Sequence, residues 1–146
     1  MDLLTPDLRA ALVANAAAQR DAQSTGARDP DPPPVVKFFN PLGAATWLAT
    51  ELDPDGDTLF GLADLGFGCP ELGSFSLSEI AGVRLPFGLG IERDLWFRPR
   101  FTLAAFAEAA TRLDRITEDE RELAAAARRL GLPDDPELPP DFAAVN

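Results

Sequence analysis

Leu8, Ala11, Leu12 and Ala16 recur at helical spacing near the start of the chain. Thr5 and Pro6 precede them as N-cap and first helical residue, and Asp7 complements the helix dipole. A helix over 6–20 is expected. Residues 21–34 (DAQSTGARDPDPPP) break the pattern and read as a polar connector, extended where the prolines run together. The period then changes. Residues 35–40, 46–52 and 58–65 are short β-type runs. The last two flank Asp53-Pro54-Asp55-Gly56-Asp57, whose residues suit a turn, so they form a hairpin. With the turn over Asp53–Thr58, Leu52 faces Leu59 and Leu48 faces Ala63, while Trp47 and Asp64 share the other face. The segment up to Gly73 reads as a glycine-rich acidic loop.

Ser76 and Glu79 make a capping box, with Phe75 and Ile80 as its hydrophobic staple. A helix over 77–84 follows, stopped near Pro86, and residues 87–92 form a loop. Residues 94–98 alternate, with Leu95 and Phe97 on one side and Trp96 on the other, and read as a strand. Thr102 caps a helix over 102–114, buried through Leu103, Phe106, Ala107, Ala110 and Leu113. Thr117 and Glu120 form a second capping box for a helix over 118–130, with Leu123, Ala127 and Leu130 inward. Gly131 and Pro133 end it. Strands in the middle and helices at the ends give an α+β fold with a small antiparallel sheet of four strands. Trp47, Phe60, Phe67, Phe75, Phe87, Trp96 and Phe97 are expected to supply its core. The globular domain spans 1–132, and 133–146 is an acidic, proline-rich tail.

Charge changes this picture more than composition does. The chain of 146 residues has a formal net charge of −11. Glu51, Asp53, Asp55, Asp57, Asp64, Glu71 and Glu79 fall within residues 38–83, which hold no lysine or arginine. Such a surface repels phosphate backbones and anionic lipid, so neither nucleic acid nor a membrane is an expected partner. Histidine is absent, which removes the Ser-His-Asp and Cys-His arrangements and most zinc sites. Cys69 is the only cysteine, so no disulfide forms within the chain. No long apolar run and no signal pattern is present, and the expected location is the cytoplasm.

Asp53, Asp55, Asp57 and Asp64 stand at positions one, three, five and twelve of a calcium-type loop. Thr58 occupies the position of the required glycine and an aspartate that of the bidentate glutamate, so a solvated hairpin turn explains them better. A divalent cation is therefore only a secondary expectation, and no other cofactor is expected. Glu51, Asp64, Glu71 and Glu92, with Arg93, form the candidate cluster for acid–base or binding chemistry, and Trp47 lies beside them in sequence pattern. Ion pairing at the surface is the alternative for each. The glycines at 61, 66, 68 and 73 match no phosphate-binding fingerprint, and turns, bulges or close backbone approach account for them. Cys69 has no basic neighbour to activate it, and Ser76 is a cap rather than a nucleophile.

The runs Thr46–Pro54, Phe60–Gly66, Pro70–Gly73, Ser76–Glu79 and Glu92–Leu95 together resemble a bacterial family, the domain of unknown function 2958. The resemblance covers about residues 3–112, starting with Leu4-Thr5-Pro6. It implies a small soluble protein of plasmids and other mobile elements, in an accessory role, and it brings no catalytic or binding residues. The expected function is a non-catalytic, acidic protein-interaction or regulatory module whose partner is another protein. A DNA mimic acting against a defence enzyme is its sharper form. A small carboxylate-based enzyme or divalent-metal-binding protein is the alternative.

Overall fold

Thr5 Oγ1 accepts the Leu8 N–H at 3.2 Å and starts helix α1 (Pro6–Thr25) as its chemistry requires. The helix runs five residues past the expected end at 20. Residues 21–25 hold no proline or glycine, and Gly26, at φ +71°, is the first residue that readily takes the left-handed cap. The computed structural model describes residues 2–133, so the tail read over 133–146 lies, beyond Pro133, outside the described residues.

Five strands follow: β1 (Val36–Phe39), β2 (Thr46–Leu52), β3 (Thr58–Asp64), β4 (Glu71–Ser76) and β5 (Glu92–Arg93). They form one antiparallel sheet in the order β4-β3-β2-β1-β5. The α+β class is as expected, but the strand set needs two corrections. The segment read as a glycine-rich loop ends inside β4, which continues through Phe75 and Ser76 and pairs with β3 from Thr58↔Ser76 to Ala63↔Glu71. It had no β signal because Gly73 and the serines are poor strand formers, and pairing with β3 overrides that preference. The strand expected at 94–98 is instead β5, a few residues earlier. Asp94 Oδ1 accepts the Trp96 N–H at 2.9 Å and turns the chain out of the sheet.

The β2–β3 hairpin also departs from its expected register. Leu52 does pair with Leu59, but Leu48 pairs with Leu62 and Trp47 with Ala63. An extra residue, Thr50, bulges between Ala49 and Glu51 and shifts the pairing by one. A one-residue shift reverses faces, so Trp47 and Asp64 lie on opposite sides of the sheet. At the bulge the strands come so close that a Cβ on Gly61 would collide with the Leu48 carbonyl oxygen.

Each face of the sheet is covered by helices. Leu12 of α1 packs with Val36, Phe38, Ala49, Leu52 and Leu59 on one face. The short helix α2 (Leu77–Ala81) adds Ile80 there, and Phe75 packs in the same cluster, as a staple should. On the other face, α3 (Leu103–Leu113) and α4 (Glu120–Arg129) pack Phe106, Ala110, Leu123 and Ala127 over Leu48 and Leu62. Leu130, expected inward, is instead 43% exposed as the cap just beyond α4. Thr102 caps α3 as read, but Asp119, not Thr117, caps α4 by accepting the Arg121 N–H at 2.8 Å. Thr117 Oγ1 instead accepts the N–H of Asp119 itself, two residues on, at 3.1 Å. The expected aromatic core is only partly realised. Phe97 is buried, whereas Phe67, Phe87 and Trp96 are 83%, 91% and 87% exposed on connecting loops.

Candidate functional site

Strand pairing fixes where the sequence candidates stand. Glu71, Ala63, Trp47, Phe38 and Arg93 are successive partners across the sheet. Glu71 and Arg93 therefore end one line on one face, four strand spacings or about 19 Å apart. Arg93 Nη1 donates to the Asp2 carbonyl at 2.9 Å and fastens the N-terminal segment to β5. Asp64, Thr46, Phe39 and Glu92 form the next line, which faces the other way. Asp64 is buried, and it accepts N–H bonds from Gly66 at 2.9 Å and Ile116 at 3.0 Å. It ties the end of β3 to the connection between α3 and α4. The candidate cluster is thus divided between two faces and both ends of the sheet.

The acidic turn is ordered by its own hydrogen bonds. Asp55 Oδ1 accepts from the N–H groups of Asp57 and Thr58, both at 2.8 Å, and Oδ2 from Thr58 Oγ1 at 2.6 Å. Asp57 Oδ2 accepts from Ser76 Oγ at 2.7 Å, and Oδ1 from the Ser78 N–H at 2.8 Å. The Thr58 hydroxyl holds the Asp55 carboxyl below its ordinary value of 3.8, and the Ser76 hydroxyl does the same for Asp57. Asp64 stands at the far end of β3, about 20 Å along the strand from Thr58. The four aspartates of the calcium-type spacing do not converge. Ser76 is a cap, as read, since its Oγ also accepts the Glu79 N–H at 3.2 Å. Cys69 is exposed.

Glu51 and Asp53 line one groove together with carboxylates from elsewhere in the chain, whereas Glu92 lines a separate cavity beside α2 and Arg93 another beside the start of α1. The line Glu51–Phe60–Ser74 crosses β2, β3 and β4 on the face that α3 covers further along. Phe60, Leu72 and Ser74 line the sheet side of this groove, of about 450 Å³. Gln19 and Gln23 of α1, residues 29–32 of the connector, and Leu103 and Ala104 at the start of α3 complete its walls. Two bonds bring the connector to α3: the Leu103 N–H donates to the Pro32 carbonyl at 3.0 Å, and the Ala104 N–H to Asp31 Oδ1 at 3.0 Å. Four carboxylates, Asp29, Asp31, Glu51 and Asp53, line the groove. Burial pushes the Glu51 carboxyl above its ordinary 4.5, the nearby Asp53 charge adds to this, and Arg20 opposes both. Such a groove offers negative charge beside an apolar surface.

Sequence reading had Glu51 and Asp53 but missed Asp29, Asp31, Phe60 and Leu72 as parts of one place. Nothing local marks a proline-rich connector as a groove wall. It missed a second arrangement too: Lys37 Nζ lies 2.6 Å from Glu118 and 3.5 Å from Asp94. These three residues join β1, the turn after β5 and the start of α4. Lys37 is the only lysine of the chain, which was the one available signal.

No helix among the described residues is long and apolar enough to cross a membrane. No curated protein and no solved structure matches the chain. The model of the family described as protein of unknown function, DUF2958, matches residues 3–117, and the chain belongs to that family.

Proposed function

We propose, starting from that family membership, that the protein is a non-catalytic module that binds another protein through its acidic groove. An accessory role in the biology of plasmids and other mobile elements goes with this reading. The observation that carries it is the groove itself. Carboxylates from the connector and from β2 meet beside Phe60 and Leu72, and the Glu51 and Asp53 side chains accept no hydrogen bond among the described residues. Carboxylates next to an apolar surface complement a basic, partly apolar partner, steering it in and suppressing acidic competitors. The DNA-mimic form of the reading needs carboxylates turned outward along a rigid surface. Asp55 and Asp57 turn theirs onto neighbouring backbone and hydroxyl groups, so the groove supports the reading better than the turn does.

The test places a photo-cross-linking residue at Leu72 and identifies captured segments by mass spectrometry. Capture of a basic segment, lost in the double variant Glu51→Lys/Asp53→Lys at unchanged melting temperature, is expected. Capture that ignores the charge reversal, or that equals capture from a probe at exposed Arg9 on α1, would count against the proposal. The raised proton affinity of Glu51 favours one other reading, a carboxylate enzyme or divalent-metal-binding protein. Calorimetric titration with calcium, magnesium and manganese tests the metal form of that alternative, since the interaction module gives flat heats.

A further inference from the structure

We infer that the groove's partner is an extended basic segment that adds to the sheet as a sixth strand along the outer edge of β4. This rests on the proposed interaction role and names its chemistry. β4 has β3 on one side only. It offers six residues in unbroken register, without proline, lysine or a bulge. Proteins that avoid strand addition shorten, twist or charge such edges. The opposite edge, β5, is shortened to two residues. Among the described residues, no backbone group of Glu71–Phe75 has a backbone partner beyond β3, and Ser76 passes into the cap of α2. Main-chain hydrogen bonds to such an edge supply affinity, and pockets for alternate side chains supply selectivity.

The groove adjoins this edge and sets which side chains fit. Leu72 and Ser74 of β4 line it. A strand added beside them stands three strand spacings, about 14 Å, from the backbone of β2 that carries Glu51. Only a long side chain carries a positive charge towards Glu51 across that gap. Lysine or arginine does so with its stem laid on Leu72 and Phe60. A second copy of this chain is the wrong occupant, because its β4 would bring a second Glu71 and a second acidic window of −7 to the same place.

The probe is a blocked six-residue peptide of alternating lysine and valine, added to the isotope-labelled full chain and followed by amide NMR. The expected result is shift changes and slowed exchange at residues 71–76, with changes at Glu51 and Asp53. A glutamate–valine peptide and a lysine–valine peptide N-methylated at alternate residues should each bind about tenfold or more weakly. Equal binding of the N-methylated peptide, with changes at 51 and 53 but none at 71–76, would overturn strand addition and leave the groove reading standing. Concentration-dependent changes at 71–76 without peptide would assign the edge to a second copy. No change with any peptide at millimolar concentration would also overturn the inference, while the cross-linking test still decides the broader proposal.

Discussion

Gly61 pairs with Ala49 beside the residue that makes β2 bulge. An added Cβ would collide with the Leu48 carbonyl oxygen and lie 2.9 Å from the Ala49 Cα, and backbone cannot move aside as a flexible side chain can. Gly61→Ala should therefore lower stability by about 3 kcal/mol in denaturant unfolding. Gly73, its partner on β4, has open space at the same position, and Gly73→Ala should stay within about 0.5 kcal/mol of the parent. Asp64 is the other residue whose role is decided by contact. Asp64→Ala leaves the Gly66 and Ile116 N–H groups without their acceptor at a partly buried place, which should cost about 1–2 kcal/mol by the same measurement. Its position among the acidic residues suggested a site, and neither neighbouring residue in sequence hinted that Ile116 would be its partner.

At the scale of elements, the β2–β3 turn and α2 act as one unit. Asp57 receives the Ser76 hydroxyl and the Ser78 N–H, and its carbonyl receives the Leu77 N–H at 2.9 Å. Asp57→Asn should weaken these bonds and speed amide exchange over residues 77–81. Acid should do the same. The folded-state pKa values of Asp55 and Asp57 lie below their ordinary 3.8. Their stabilisation is thus complete above 3.8 and is lost as pH falls through the lower folded values. The double variant Asp55→Asn/Asp57→Asn should show a flatter loss of stability below pH 3.8 than the parent, in unfolding curves taken across that range. Glu51 runs the other way, because its folded-state pKa is raised, so acid relieves a cost there. Elements with strong local signals were legible, as Thr5-Pro6, Ser76 and Thr102 show. β4 was not, since an edge strand of glycine and serine is held by its neighbour's ladder, and pairing lies outside any local window.

At the scale of the molecule, charge opposes compactness. A net charge of −11, with seven of the acids inside residues 38–83, makes the folded state self-repelling. The ion pairs of Lys37 and the pair Arg129–Glu108 offset part of this. Raising salt from about 0.01 M to about 1 M shortens the screening length from about 30 to about 3 Å. The melting temperature should rise over that interval, as scanning calorimetry would record. A fall would mean that the ion pairs outweigh the repulsion.

The α+β class, three strands, the starts of α1, α2 and α3, and the acidic window were determined by the sequence alone, because period, capping chemistry and charge are local properties. The bulge at Thr50 was decided only in three dimensions, and with it the faces of Trp47 and Asp64, because register depends on how two separate strands pack. Tertiary structure likewise divided the candidate carboxylates and joined Glu51 and Asp53 to Asp29 and Asp31. Residues 20 or more positions apart share a groove only once the connector is bonded to α3 and the sheet closes beneath it.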